Sequence, residues 1–179
     1  METAVATKWA IDAAHSQIQF KVKHLVITTV TGNFKDFNGS VEADDNFENF
    51  SASFEAKVAS IETGNEMRDN HLKSEDFFAA EQFPTLTFVS TSVVKKDEEN
   101  YIVNGDLTIR GITKPISLKA VYGGTMTDPW GQVKAGFELS GSVSRKEFGL
   151  LWNVVTEAGG AVVSDEVKLA VDVQLVKQA

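Results

Sequence analysis

The chain of 179 residues contains no cysteine. Disulfide scaffolds, thiolate zinc sites, iron–sulfur clusters and cysteine nucleophiles are therefore excluded. Basic residues are also in deficit, because 17 Lys and Arg stand against 25 Asp and Glu, a net charge of -8. A protein that neutralises phosphates needs a basic face. Since the basic residues are scattered along this chain, we expect no nucleic-acid partner and no docking on anionic headgroups.

Long apolar runs are absent as well. No stretch approaches the roughly 18 apolar residues that a membrane-spanning helix requires, so we predict no stable membrane insertion. The start of the chain, from Met1 to Trp9, lacks both the basic residues and the apolar stretch of a secretion signal. We therefore expect a cytoplasmic protein, with a periplasmic one as the alternative if an upstream signal has been removed.

The dominant pattern is alternation with a period of two. Apolar residues at every second position, with polar residues between them, are typical of strands that bury one face. Strands buried on both faces, as in parallel sheets, would be continuously apolar, so the pattern favours an antiparallel sheet. The alternation is clearest in residues 17–23, 51–58, 116–122, 135–143 and 167–175, and further strands are expected at 33–43, 85–94 and 101–110.

About eight strands connected mostly by hairpins predict an all-β fold, an eight-stranded antiparallel lipocalin-like barrel, because closure removes the exposed edges of a sheet. Residues 110–113 and 127–131 carry the Gly and Pro of hairpin turns. No linker or repeat divides the chain, so we treat residues 1–179 as one domain. The interior of such a barrel is wide enough either to be filled by its own side chains or to enclose one slim ligand.

One region does not fit the strand pattern. Thr63 and Glu66 have the spacing of a capping box, which predicts a short helix from there to about Lys73. Ser74 is a candidate cap for a second helix that extends through Phe78. This helical region is our candidate for a lid near one end of the barrel, with a simple plug as the alternative.

Several short segments are more distinctive than the alternation. The most distinctive is Gly105-Asp106-Leu107-Thr108-Ile109-Arg110-Gly111-Ile112-Thr113-Lys114-Pro115. The others are, in chain order, Trp9-Ala10-Ile11-Asp12, His15-Ser16, Val22-Lys23-His24-Leu25, Gly32-Asn33-Phe34, His71-Leu72-Lys73-Ser74-Glu75-Asp76-Phe77-Phe78, Phe83-Pro84 and Arg145-Lys146-Glu147-Phe148-Gly149. In this order and at this spacing they resemble the YceI-like family, the bacterial lipocalin-like proteins typified by polyisoprenoid-binding members.

The resemblance implies an extended eight-stranded antiparallel barrel with a helix near one end and a long isoprenoid or other amphiphilic lipid in its interior. It supports the binding of an apolar chain more than the binding of any one molecule, because ligand identity varies among relatives. Many relatives are exported to the periplasm. Since no leader is visible in this sequence, that location is not carried over.

A linear prenyl chain offers no hydrogen bonds, so its binding site must be a long dry channel whose affinity comes from burial. The 12 Phe residues provide flat rings for such a wall, although each ring is explained equally well as barrel core. Candidate ligand-binding residues come from the alternating strand positions that face the barrel interior, from the helical region and from the family segments. They are Ile18, Phe20, Val22, His24, Phe54, Leu72, Phe77, Phe78, Phe88, Leu107, Phe137, Leu139, Arg145, Phe148, Leu169 and Val171.

Two of these candidates are polar and concern the headgroup of the ligand. His24 and Arg145 each continue the inward phase of their strand, so both are expected to point into the barrel. There an Arg suits a pyrophosphate or quinone oxygen, and a His adds one more hydrogen bond. The competing interpretation is a buried Arg paired with an internal carboxylate and a core His with satisfied hydrogen bonds. A bulge at Gly141 or Gly149 would reverse the phase.

Catalytic and metal sites are not expected. His15 and His24 are nine residues apart on what resembles one strand, which separates them by about 30 Å and prevents a shared metal ion. Asp12, His15 and Ser16 have the residue types of a nucleophilic relay, but neighbours in an extended segment point to opposite faces. Asp12 and Ser16 are better explained as turn or capping groups.

We therefore predict a barrel, not an enzyme, that binds, sequesters or transports an isoprenoid-type lipid such as a polyprenyl diphosphate or a polyprenylated quinone, without a cofactor. Two alternatives stay open. One is a small enzyme that modifies an amphiphile inside the barrel with His24, Arg145 or Asp12. The other is a filled barrel that acts through its outer surface as a stress or interaction protein. The oligomeric state is open too, since a single chain and a homodimer both fit.

Overall fold

A computed structural model of the protein describes residues 7–25, 27–44, 47–152 and 163–178. Within these ranges eleven strands form a single antiparallel sheet, together with one α-helix, α1 (Glu66–Lys73). The strands are β1 (Thr7–Ile11), β2 (Gln17–His24), β3 (Thr28–Phe34), β4 (Phe37–Ala43), β5 (Phe50–Lys57), β6 (Ile61–Glu62), β7 (Thr85–Lys95), β8 (Asn100–Ile109), β9 (Ile112–Thr127), β10 (Val133–Ser144) and β11 (Val163–Lys177).

The sheet closes because its last strand, β11, pairs with two others. One part of β11 pairs with β1, and the other part pairs with β2, where Leu169 lies opposite Phe20. β1 and β2 are therefore two parts of one wall strand, and β3 and β4 are two parts of the next. Counted in this way over the described residues, eight wall strands form a closed barrel. The predicted eight-stranded antiparallel barrel with a short helix is confirmed.

Both predicted hairpin connections are confirmed. Arg110 and Gly111 join β8 to β9 with φ angles of +52° and +72°, the positive values that a two-residue type I′ turn requires. The connection from β9 to β10 is a longer loop in which the Asp128 carboxylate accepts hydrogen bonds from the backbone N–H groups of Trp130 and Gln132. Both turns lie where the sequence places them.

The helical region differs from its prediction in two respects. Asn65, not Thr63, caps α1, because the Asn65 side chain accepts a hydrogen bond from the backbone N–H three residues on. The Thr63 hydroxyl instead donates to the Asp69 carboxylate at 2.5 Å. The predicted second helix is wrong. Ser74 donates its hydroxyl back to the His71 carbonyl and ends α1, and the residues that follow form turns.

The strand expected over residues 33–43 is divided into β3 and β4. Lys35 and Asp36 leave the ladder between them. The Lys35 N–H donates to the Ser60 carbonyl at 3.2 Å, and the Asp36 carbonyl accepts from the Lys57 N–H at 2.9 Å. Both partners come from the chain around the end of β5, so the interruption bends the wall where two strands change partners.

One end of the barrel is filled by a phenylalanine from a loop. Phe47 lies between β4 and β5, with φ +53° and only 4% of its surface exposed. Its ring centroid is 5.2 Å from that of Trp9, 5.4 Å from that of Tyr122 and 5.2 Å from that of Phe137. Aromatic pairs at these separations add specific attraction to the burial of their area. We call Phe47 and these rings the plug.

Polar contacts hold the plug loop in place. The Asp44 carboxylate accepts hydrogen bonds from the backbone N–H of Asn49 at 2.8 Å and from its side-chain amide at 3.0 Å. The bonds from Asn49 lower the pKa of Asp44 below its ordinary value. On the other side of Phe47, Glu48 forms an ion pair with Lys95 of β7 at 2.8 Å. The loop is therefore fastened on both sides of the inserted ring.

We expect Phe47→Ala to lower the free energy of unfolding by about 3–5 kcal/mol, because it leaves a cavity among well-packed aromatic rings. Val121→Ala is the matched control, since Val121 is exposed on β9 and its truncation removes few contacts. Urea denaturation followed by circular dichroism measures both. Equal stability of the two variants would contradict the role of Phe47 as the plug.

Candidate functional site

A cavity of about 700 Å³ extends through the barrel from the plug to α1. Its wall is built from β1 to β5 and from β7 to β11, each of which contributes inward apolar side chains. This follows from the alternation, since every second side chain of a barrel strand faces the axis. The polar residues that border the cavity are His24, Arg68, His71 and Arg145, together with Gln19, Lys23 and Ser53, which alternate with the inward residues of their strands and so have outward side chains.

Inward side chains around the middle of the cavity are not buried as packed core residues are. Phe20, Phe54 and Leu139 line the cavity and are only half-buried, whereas Phe137 in the plug and Tyr101 beside it are buried. Protein interiors normally pack as densely as organic crystals. Half-buried rings that face inward therefore mark a volume that the side chains do not fill, which argues against the filled-barrel alternative.

All sixteen candidate ligand-binding residues of the sequence analysis lie along this cavity. No ligand contact is tested by that placement, so their binding role stays a prediction. Sequence reasoning missed other wall residues, among them Phe50, Val103 and Leu118. Val103 shares the inward alternation of Leu107 on β8, so the signal for it was present. Nothing in the sequence separates wall rings that border the cavity, such as Phe50, from rings that fill the plug.

The region of α1 and the turns after it cover the end of the cavity opposite the plug. Leu72 and Phe78 line the cavity, and the Phe78 ring packs edge-on against Phe34 of β3 at 6.1 Å. The His71 ring lies edge-on to Trp152 at 4.8 Å. Its Nε2 is 2.8 Å from a carboxylate oxygen of Asp76. The predicted lid region is thus placed at one end of the cavity, and whether it opens stays a prediction.

Arg145 is hydrogen-bonded through its guanidinium to backbone carbonyls and, among the described residues, not to an internal carboxylate, while its predicted contact with a ligand stays a prediction. Its side chain is only 3% exposed, and its guanidinium is surrounded by backbone carbonyls. Nε donates to Ser164 at 2.8 Å, Nη1 to Leu150 at 2.6 Å and to Trp152 at 2.8 Å, and Nη2 to Val163 at 3.1 Å. Arg145 therefore joins residues 150–152 to the start of β11.

The charge of Arg145 is compensated at longer range. Burial lowers the pKa of Arg145, and the nearby Asp165 carboxylate opposes that shift. Burial would raise the pKa of Asp165, but hydrogen bonds from the Ser144 hydroxyl and the Lys146 N–H bring it below its ordinary value. The pairing of β10 with β11 has no register shift at Gly141. The alternation that predicts an inward Arg145 therefore continues unbroken to the end of β10.

His24 is the other polar candidate, and its imidazole faces the cavity. It ends β2 opposite Val163 and lines the cavity while half-buried. Within the described part of the chain, its imidazole has no hydrogen-bond partner. A neutral imidazole carries one donor and one acceptor, so His24 can bond to a polar group at this end of the cavity.

Asp12, His15 and Ser16 serve local structure on the barrel wall. Asp12 caps a short 3₁₀ turn by accepting from the Ala14 N–H, and its other oxygen is 2.8 Å from His15 Nδ1. The contact with His15 is the main reason that the pKa of Asp12 is lowered. Ser16 accepts a hydrogen bond from the Gln174 N–H at 2.9 Å. The predicted turn and capping roles are confirmed.

In residues 7–25, 27–44, 47–152 and 163–178, no group of three or more His, Asp or Glu side chains is arranged to hold a metal ion. Within the same ranges, no helix combines the length and the apolar character needed to cross a bilayer.

We expect Arg145→Met to lower the free energy of unfolding by about 3 kcal/mol or more, because buried carbonyls lose their hydrogen-bond donor. Arg145→Lys should be intermediate, since an ammonium cannot reproduce the planar geometry of the guanidinium. Lys146→Met, a change at the exposed neighbour, is the control and should leave stability unchanged. Thermal denaturation compares the four proteins, and a fully stable Arg145→Met variant would contradict this role.

Known proteins share both the sequence and the barrel. Residues 9–175 match the YceI-like domain family. The UPF0312 protein plu2095 of Photorhabdus laumondii is 42% identical over 149 residues, which are 82% of this chain and 77% of that protein. The crystal structure of the Campylobacter jejuni YCEI protein is 35% identical, with a TM-score of 0.77 over 88% of this chain and 90% of its own.

A polyisoprenoid binding domain from Saccharophagus degradans has the same fold, with a TM-score of 0.67 and 14% identity over 95% of this chain and 98% of its own. The family match extends from the first wall strand to the last. This match agrees with the short sequence segments that resemble the YceI-like family. The chain therefore belongs to the YceI-like family.

Proposed function

We propose that this protein binds an isoprenoid-type amphiphilic lipid inside its barrel and thereby sequesters or carries it. The observation that supports the proposal most strongly is the closed barrel with about 700 Å³ of apolar interior left unfilled. Cavities of this size, with few polar groups, commonly hold small organic ligands. The description of the Saccharophagus degradans relative as polyisoprenoid binding supports the same ligand class.

The wall of the cavity favours a long apolar chain. Each CH₂ group removed from water contributes roughly 0.8 kcal/mol, whereas association costs about 4–15 kcal/mol. One or two isoprene units therefore bind weakly, and several units bind well. Polyprenyl diphosphates and polyprenylated quinones meet this requirement, because each joins a long apolar chain to a compact polar head.

The orientation of the ligand follows from the two unlike ends of the barrel. The plug closes one end with packed aromatic rings, so the apolar tail points there. At the other end the wall includes His24, whose imidazole is available for a hydrogen bond. We propose His24, and not Arg145, as the residue that contacts the headgroup, because the Arg145 guanidinium is already bonded to four carbonyls.

We propose binding without a chemical step. Two of the three groups that an enzyme would use are engaged in structural contacts, Arg145 with backbone carbonyls and Asp12 with a turn and with His15, which leaves His24 without a partner for acid–base chemistry among the described residues. The relatives are named YceI and UPF0312 proteins, names that denote no reaction. The two functions differ in outcome, because an enzyme would convert a bound prenyl compound during incubation and a binding protein returns it unchanged.

The identity of the ligand is tested by organic extraction of the protein purified from its native cell, followed by mass spectrometry. We expect a compound whose fragments differ by C₅H₈ units and that carries a polar head. The Leu139→Glu variant, purified in the same way, should lack it. Recovery of straight-chain lipids alone, in amounts equal to the protein, would contradict the isoprenoid assignment.

We expect Phe137→Glu and Leu139→Glu to weaken the uptake of a fluorescent prenyl probe at least tenfold, because each places a carboxylate on the apolar wall. Glu138→Lys, between them on β10, faces outward and should bind as the unchanged protein does. Leu139 lies on the cavity wall outside the plug, so its variant separates lost binding from lost stability. Equal uptake by all three variants would contradict the assignment of the cavity.

A further inference from the structure

The turn between β2 and β3 presents apolar side chains to water at the end of the barrel opposite the plug. Ile27 is 79% exposed and Leu25 is 41% exposed, while Val26 between them lies outside the described residues. Leu25 has φ +53°, a conformation that residues other than Gly adopt rarely. Two large apolar side chains that are exposed on one tight turn contribute little to the stability of the fold. They therefore indicate a surface that another molecule covers when the protein functions.

Lysines lie next to this turn on the outer face of the barrel. The register places Lys21 of β2 directly opposite Lys168 of β11, and Lys23 is two residues nearer the turn. All three are exposed. Among the described residues, no carboxylate is within 4.0 Å of any of these three ammonium groups. Glu166, exposed on β11, is an acidic residue on the same face.

This cluster is invisible along the sequence, because Lys21 and Lys168 come from opposite ends of the chain and meet only through the pairing that closes the barrel. Because the basic residues are scattered along the sequence, the sequence alone provides no reason to expect binding to anionic headgroups. In the folded barrel, however, three of them form one local cluster. The net charge of the chain is -8. An acidic molecule with a basic end is oriented by an anionic surface so that the basic end approaches first.

The apolar turn directly follows a residue of the cavity wall. His24, the last residue of β2 before the turn, lines the cavity wall. Met67 of α1 also lines the cavity and is 85% exposed. Two elements at this end of the cavity, the β2–β3 turn and α1, thus present apolar side chains to solvent. A lipid that leaves a bilayer through this end would pass along apolar surface.

We propose that the β2–β3 turn is a membrane-docking element that inserts Leu25 and Ile27 into the interface of an anionic bilayer while Lys21, Lys23 and Lys168 contact the headgroups. Apolar side chains flanked by basic ones bind such interfaces through burial together with electrostatic attraction. The contact is reversible, since the inserted area is small. The inference rests on the proposed function, because it assigns the place where a carrier collects or delivers its lipid.

Vesicle flotation tests the docking element without any cavity ligand. The full chain is mixed with vesicles of phosphatidylcholine alone or of phosphatidylcholine with phosphatidylglycerol. We expect binding to the anionic vesicles, with loss of binding at high salt as charges are screened. Ile27→Asp should reduce bound protein at least tenfold, and Lys21→Glu combined with Lys23→Glu should reduce it to a similar extent on anionic vesicles only.

Met126→Asp is the matched control, because Met126 is a large apolar residue that is also mostly exposed, on β9, but lies at the other end of the barrel, near the C-terminal part of β11. It should bind vesicles as the unchanged protein does. Equal loss in Ile27→Asp and Met126→Asp would overturn the assignment. So would a dimer in size-exclusion chromatography that Ile27→Asp converts to a monomer without any change in flotation, since the turn would then bind a second copy of the chain.

Uptake of the fluorescent prenyl probe in detergent-free buffer separates the docking proposal from the proposed function. Ile27→Asp should keep full probe binding, because Ile27 does not line the cavity. If the unchanged protein binds the probe but floats with no vesicle, docking is refuted and lipid binding stands. If it floats but binds no probe, the proposed function fails and the docking element stands.

Discussion

The pairing of β11 with both β1 and β2 is the interaction that makes the rest of the structure possible. It joins the first and last wall strands, removes the open edges of the sheet and fixes the barrel at eight wall strands over the described residues. The number of strands sets the diameter, and at eight the interior admits side chains or one slim ligand. Phe47 and its ring partners take up that space at one end only.

The polar groups around the remaining space serve mainly to hold its walls. Arg145 is the main example, because its guanidinium donates hydrogen bonds to the carbonyls of Leu150 and Trp152 and to that of Ser164 in β11. Asp69 in the same way binds Thr63 and fixes the start of α1. With these groups engaged, the cavity is left with an almost wholly apolar wall, and selection among ligands then depends on their length and shape more than on hydrogen bonds.

Much of the fold was predictable, and the limits have physical reasons. Alternation with period two is a local property of each strand, so the strands, the Arg110-Gly111 turn and the inward parity could be derived from neighbours in sequence. Phe47 could not, because it enters the barrel from a loop with no periodicity and a positive φ. The four carbonyl partners of Arg145 and the opposition of Lys21 to Lys168 depend on contacts between distant segments. The residue types also do not reveal whether the inward aromatic side chains pack against one another across the barrel or leave a cavity between them.

The central claim is that the unfilled interior accepts an apolar chain lengthwise, and its dependence on chain length is the most direct test. Dissociation constants would be measured by isothermal titration calorimetry for prenyl alcohols with a rising number of isoprene units. The account predicts that each added unit strengthens binding at least tenfold, since several buried carbons contribute roughly 0.8 kcal/mol each, until the chain fills about 700 Å³ and the gain stops. Affinity that does not change with chain length would contradict it.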